Sequence, residues 1–168
     1  MLPIVLNETA VNIGLAGAGE ALERRRTMLA DAGVVPKILS SDSDVSALKS
    51  LKILFIAGLD KAASERLAKL ARAQGALVNV EDVPALCDFH VPAAVRRGDL
   101  ILTVSTGGKA PGLSRLIREW LEHKLGVEWS GRLREVAASR ANWRGQGQEP
   151  SEVSRRTRDY VREREWLS

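Results

Sequence analysis

Four short stretches place carboxylates, hydroxyls or glycines at spacings that can do chemistry. Glu81 and Asp82 follow the apolar run Ala76–Val80, so two carboxylates stand at the C-terminal end of a short strand. In an open α/β sheet that edge is where ligands bind. Ser105-Thr106-Gly107-Gly108-Lys109 follows a second apolar run, Leu100–Val104, and leads to Pro111, where a helix can start. Its glycines let backbone amides turn toward a carboxylate, and Lys109, Arg96, Arg97 and Arg115 are the nearest cations. The two polar edges are expected to face one crevice. Gly17-Ala18-Gly19 lies between a strand, Val11–Ala16, and a helix, Glu20–Ala32. There Gly17 permits a tight turn, Gly19 lets backbone approach a pyrophosphate, and the amides of Glu20 and Ala21 face it. The third position of this G-x-G-x-x-G pattern is Leu22, not a small residue. Taken alone, the pattern divides evenly between a nucleotide site and an ordinary strand-to-helix turn. Ser41 and Asp42 close the strand Val34–Leu39, about 20 residues past Gly19, where a dinucleotide site places the acid that holds ribose hydroxyls. A cap for a helix over Asp44–Leu51 explains them equally well.

The elements that must position these groups follow from periodicity. Leu51–Ala57 reads as a strand, and Lys61–Gln74 as an amphipathic crossover helix with Ala63, Leu67, Leu70 and Ala71 on one face and Gly75 as its stop. From Pro111 the pattern is helical: Pro111–Leu125, Arg132–Ala141 and Glu152–Trp166, with Asn142–Pro150 as the most loop-like segment. The opening MLPIVL is interrupted by Asn7 and Glu8, lacks a basic leader and is too short to span a bilayer, so it is expected to be a strand. All four tryptophans lie in the second half and read as packing or interface residues.

Composition bounds the class. With 45% hydrophobic and 27% charged residues, the 168-residue chain has the make-up of a folded protein with one core and an appendage. One cysteine, Cys87, forbids an internal disulfide and a cysteine-held zinc cluster, and points to the cytoplasm. Residues 96–168 carry fifteen Lys or Arg against ten Asp or Glu, whereas residues 1–95 carry ten against eleven. That field suits a solvated helical surface or a polyanionic ligand. The arginines alternate with glutamates and no nucleic-acid motif is present, so nucleic acid is not an expected partner. His90 has no partner at ligand spacing and reads as structural.

The stretch Asn79–Pro111 resembles the precorrin-2 dehydrogenase and sirohydrochlorin ferrochelatase family, the N-terminal module of sirohaem synthases. The matching pieces, in order, are Asn79-Val80-Glu81-Asp82 with Pro84, Cys87-Asp88-Phe89, Val91-Pro92-Ala93, Val104-Ser105-Thr106-Gly107-Gly108 and Pro111. The resemblance implies an α/β, Rossmann-like parallel sheet over residues 1–91, a dimerisation region over 92–122 and a small helical domain over 123–168. It also implies a stand-alone module, since fused sirohaem synthases carry a methyltransferase domain for which this length leaves no room. Two departures stand out. The family has a further strand between Val34–Leu39 and Leu51–Ala57, so the sheet is expected to be one strand narrower. The family's Ala-Thr-Asp has become Gly58-Leu59-Asp60, which keeps the acid and loses the hydroxyl.

The function the resemblance implies is NAD+-dependent oxidation of precorrin-2 to sirohydrochlorin, with Fe2+ insertion to give sirohaem in bifunctional members. Asp82 occupies the position of the family's catalytic aspartate, a base able to serve both steps. Without the resemblance it reads as a residue capping the turn before Pro84. Glu81 is expected to point the other way, because side chains alternate in extended chain. Gly17, Gly19, Glu20, Ala21, Ser41, Asp42 and Asp60 are the implied NAD contacts. Ser105, Thr106, Gly107, Gly108 and Lys109 are the implied contacts to the carboxylates of the tetrapyrrole. No stored metal is expected: Fe2+ would be a substrate held transiently by Asp82 and the macrocycle. The expected assembly is a homodimer, with no membrane partner. The competing expectation is a tetrapyrrole-binding module for storage or transfer, in which the two departures have removed turnover.

Overall fold

The computed structural model describes Met1–Leu167, which divide into two units, Met1–Val91 and the chain from Pro92 onward. In the first, the parallel strands β1 (Ile13–Gly17), β2 (Lys37–Leu39), β3 (Ile53–Ala57) and β4 (Leu77–Val80) form one sheet in the order β2-β1-β3-β4. All five residues of β3 are buried, because the strand is covered on both faces. Leu54 and Ile56 pack with Leu48, Leu67, Ala68 and Ala71, under the short helix α2 (Val45–Leu48) and the crossover helix α3 (Lys61–Ala73). Ile53 and Phe55 pack on the other face with Leu15 and Leu29 of α1 (Gly19–Ala30). The fold is Rossmann-like, and its sheet has four strands.

Several elements depart from the sequence reading. Residues 1–6 form no strand; Met1, Leu2, Ile4 and Val5 are exposed, and the first ordered feature is a turn of 3-10 helix over Glu8–Ala10, capped by Asn7. The second strand starts only after Pro36, which has no N–H to give a ladder. The expected helix over Asp44–Leu51 is a single turn, and its cap is Asp44, whose carboxylate accepts the Ala47 amide at 3.1 Å.

The outer strand β4 is closed off by its own continuation. Cys87 donates its thiol to the Val80 carbonyl at 3.2 Å, and the Asp88 amide donates to the Val78 carbonyl at 2.8 Å. The Asp88 carboxylate accepts the Val78 amide at 2.8 Å and the Arg72 guanidinium at 3.0 Å, while Asn79 donates to the Phe89 carbonyl at 2.9 Å. Phe89 then meets Phe55 edge to face, with ring centroids 5.5 Å apart. Asn79 and Cys87-Asp88-Phe89 thus cover an edge that would otherwise be open.

In the second unit, β5 (Ala93–Arg97) and β6 (Leu100–Val104) form an antiparallel hairpin. Gly98 at φ 61° and Asp99 form the two-residue turn that folds β6 back onto β5. Helix α4 (Pro111–Lys124) packs on the hairpin, and Arg97 donates to the Leu125 and Glu122 carbonyls at its C-terminus, at 2.7 and 3.0 Å. Helices α5 (Trp129–Gly145) and α6 (Pro150–Glu163) pair through Trp129, Trp143, Tyr160 and Trp166, whose rings meet edge to face. The expected loop Asn142–Pro150 shrinks to Gln146–Glu149, since Pro150 is at home in the first turn of a helix.

Asp88 offers a direct check on the closed edge. Burial works against its charged form, but the Arg72 hydrogen bonds, the Val78 amide and the Arg72 charge outweigh it, so the carboxyl titrates below its ordinary value of 3.8. A lowered folded-state value gives stability that is present above the unfolded value and lost as pH falls through the folded one. Asp88→Ala is predicted to cost about 2 kcal/mol at pH 7, and the gap to wild type should narrow below about pH 4. Urea unfolding followed by far-UV circular dichroism at both pH values measures it; an unchanged gap contradicts the account.

Candidate functional site

The polar residues singled out in the first 91 positions gather at one place, the carboxyl edge of the parallel sheet. Strand β1 runs into Gly17-Ala18-Gly19, β2 into Ser40-Ser41-Asp42, β3 into Gly58-Leu59-Asp60, and β4 into Glu81-Asp82. The chain moves outward from β1 to β2 and from β3 to β4, so strand order reverses between β1 and β3. In an open α/β sheet, ligands bind outside the carboxyl ends of the strands at such a switch point.

The glycines have distinct tasks there. Gly17 does not need a positive φ; a Cβ on it would lie 2.1 Å from the Ala57 carbonyl oxygen, so its role is to let two backbones approach. The same Cβ would lie 3.2 Å from Leu22, which accounts for a large residue at the third position of the pattern: it fills space that Gly17 leaves. Gly58 sits at φ 70° and a Cβ there would be 2.3 Å from the Ala18 carbonyl oxygen. Gly19 opens α1 at φ 62° with no atom within 4 Å of its missing Cβ. The first turn of α1 has no side-chain cap, whereas α2 and α3 are capped by Asp44 and Asp60. An uncapped helix start behind an open glycine fits a pyrophosphate.

Asp42 is exposed and accepts the Ser40 hydroxyl at 2.5 Å. That bond, its own amide and the nearby Arg66 charge hold its carboxyl below the usual range, so it is ionised at neutral pH. Arg66 donates to the carbonyls of Ser41 and Ser43 and fixes the loop. Asp60 accepts the Ala63 amide at 2.8 Å, so one of its oxygens is committed to starting α3. Asp82 is exposed at φ 60°, a left-handed backbone outside the ordinary range for its residue type. Beside it, Glu81 turns to α1, with Arg24 at 3.8 Å and Arg25 at 3.9 Å. Sequence reading missed these pairs, because contacts across more than 50 positions leave no local signal.

Ser105–Lys109 belong to the second unit. Gly107 and Gly108 have φ 65° and 79°, and the turn closes on itself: Ser105 accepts the Gly107 amide at 3.2 Å, and Thr106 accepts the Ala110 amide at 3.1 Å and shares a hydrogen bond with buried Ser114. The Thr106 hydroxyl is therefore engaged in building the turn, while Ser105, Gly107, Gly108 and Lys109 are exposed. No group of three or more His, Cys, Asp and Glu side chains that could hold a metal occurs among the described residues. No helix among them is long and apolar enough to cross a membrane.

The glycine geometry predicts an order of damage. Gly17→Ala and Gly58→Ala each drive a methyl into a carbonyl oxygen and should cost about 2–3 kcal/mol or more. Gly19→Ala enters open space and should cost only about 1–2 kcal/mol, from its left-handed backbone. Thermal denaturation of the three variants reads the order, and Gly19→Ala proving the worst contradicts it.

Residues 4–93 match the family model described as putative NAD(P)-binding, and residues 97–124 match the central region of a sirohaem biosynthesis protein. A siroheme synthase of Nitrosococcus oceani is 32% identical over 157 residues, covering 82% of this chain and 33% of that protein. One from Ectopseudomonas mendocina is 38% identical over 124 residues, 63% of this chain and 27% of that protein. The chain thus spans about a third or less of the curated relatives it matches. The solved structure of SirC, precorrin-2 dehydrogenase, superposes with a TM-score of 0.77 over 100% of this chain and 93% of that chain, at 18% identity, a likeness of fold. The chain belongs to the putative NAD(P)-binding family found in the siroheme synthases.

Proposed function

We propose that the chain oxidises precorrin-2 to sirohydrochlorin, with NAD+ as the acceptor. The observation that carries this reading is the placement of the open Gly19 turn and the exposed Asp82 carboxylate on the same edge of one sheet, around its switch point. The reaction removes two hydrogens, one leaving as hydride and one as a proton. NAD+, when bound, supplies the hydride acceptor. Asp82 takes the proton: its carboxylate is exposed and is held in place by the anchored backbone on either side. The amides of Gly19, Glu20 and Ala21 would hold the pyrophosphate, and ionised Asp42 with Ser41 the ribose hydroxyls. Asp60, half committed as a cap, would contribute its second oxygen.

In the second unit, Ser105, Thr106, Gly107, Gly108 and Lys109 would receive the carboxylates of the macrocycle, chiefly through the amides of the two left-handed glycines and the Lys109 cation. Fe2+ insertion into sirohydrochlorin, with Asp82 accepting pyrrole protons, is the second step the same base can serve. The proposed assembly is a homodimer through residues 92–122. In support, α4 leaves Leu113, Leu116 and Trp120 exposed at 51%, 64% and 58% on one helical stripe.

Anaerobic incubation with enzymatically generated precorrin-2, with and without NAD+, tests the reading through the visible spectrum of sirohydrochlorin. The product should appear only with NAD+, and Asp82→Asn, which tolerates the left-handed backbone, should lower the rate by about 100-fold or more while leaving the melting temperature nearly unchanged. Macrocycle binding without NADH formation would favour the storage or transfer module instead. Loss of only one of the two steps in Asp82→Asn would contradict a shared base.

A further inference from the structure

Resting on the reading of Asp82 as the base, we propose that Glu81 is a positioning residue: drawn to Arg25 at 3.9 Å and Arg24 at 3.8 Å, it helps hold the next residue, Asp82, in its left-handed backbone and so aims the carboxylate. Three observations converge on this. Asp82 at φ 60° is one of two non-glycine residues with positive φ among the described residues, and the other, Glu165, lies at the C-terminal end. A backbone of this kind persists only where its surroundings impose it.

The second observation is that both neighbours of Asp82 are anchored. On one side the Glu81 amide donates to the Ile56 carbonyl at 2.9 Å, continuing the ladder one residue beyond β4. On the other, the Val83 amide donates to the Val80 carbonyl at 3.3 Å, and the Cys87 thiol reaches the carbonyls of Val80 and Val83 at 3.2 and 3.4 Å. Asp82 is the link between two fixed points.

The third is the grip itself. The Glu81 side chain is only 19% exposed and that of Arg25 only 13%, so both charges are largely removed from water and their separation matters more than on a surface. Arg25 is immobilised by further contacts, lying 5.4 Å over the Phe55 ring and donating to the Met28 sulfur at 3.6 Å. Phe55 in turn packs on Phe89 of the edge-closing segment. Arg24 adds a second cation from the solvent side. Because both arginines belong to the helix that starts at Gly19, the proposed cofactor turn and the proposed base are tied to one element. A glutamate here is therefore not a spare carboxylate beside Asp82 but the strut behind it.

Two measurements decide the matter. In the first, Glu81→Gln should lower kcat for NADH formation by about 10- to 100-fold with KM for NAD+ and precorrin-2 within about two-fold of wild type, as for a mis-aimed base. Arg25→Lys should keep most of the rate that Arg25→Met loses. Arg26→Ala, whose side chain pairs with Glu23 on the same helix, should match wild type. A wild-type kcat in Glu81→Gln, or a loss carried wholly by KM, overturns the proposal. The second measurement needs no activity. Asp82→Gly relieves the left-handed backbone and should raise the melting temperature by about 2–4 °C in the wild-type background, and that gain should shrink in Glu81→Gln, where one of the constraints on the turn is gone. An equal gain in both backgrounds overturns the proposal. Wild-type protein that forms no NADH would sink the assigned reaction, and the thermal comparison would still decide whether Glu81 holds Asp82.

Discussion

The structure depends on how closely the backbones of β1 and β3 approach at their carboxyl ends. Gly17 faces the Ala57 carbonyl and Gly58 faces the Ala18 carbonyl, each with room for a hydrogen and not for a methyl. This double contact brings the loop after β1 against the loop after β3 at the point where strand order reverses. The two glycines set the floor of the carboxyl edge. Gly58 is the glycine on the β3 side of this contact. It takes a left-handed backbone that seats it against the glycine turn, so it is part of how this sheet closes.

Around that floor, the polar groups divide between those that build loops and those that face solvent. Asp44, Cys87 and Asp88 spend hydrogen bonds on a cap and on edge closure, and Asp60 commits one oxygen to a cap. Asp42 and Asp82 keep exposed carboxylates at the sheet edge, each on a loop fixed from behind: by Arg66 through the carbonyls of Ser41 and Ser43, and by Arg25 through Glu81. Loops fixed from behind that carry exposed carboxylates are what positioning chemistry requires. They lose little order on binding, and their geometry is set before a ligand arrives.

Much of this was legible in the sequence where the signal is local. Short apolar runs ending in glycine or acid marked β1, β3 and β4, because a strand buried on both faces has few other compositions open to it. Lys61–Ala73 announced itself by periodicity and by Asp60 ahead of it. What could not be read was partnership. Leu100–Val104 has the composition of a buried parallel strand, and only the Gly98-Asp99 turn shows that it folds back on Ala93–Arg97. The opening MLPIVL is apolar enough for a strand but has no neighbour to pair with. Cys87-Asp88-Phe89 looked like part of a site motif, and its contacts are those of an edge cover. Glu81 was expected to point away from Asp82, but the arginines it meets lie on a helix far upstream and left no local signal.

The central claim is that the carboxyl edge of the four-stranded sheet is the dinucleotide site. Titration of NAD+ into the isotope-labelled protein, followed by amide chemical shifts, tests it most directly. The account predicts saturable shifts at Gly17–Ala21, Ser41-Asp42 and Gly58–Asp60, with the opposite edge of the sheet, at Asn12, Val34 and Leu51, left unmoved. Shifts confined to that opposite edge, or none at any concentration short of non-specific binding, would contradict it.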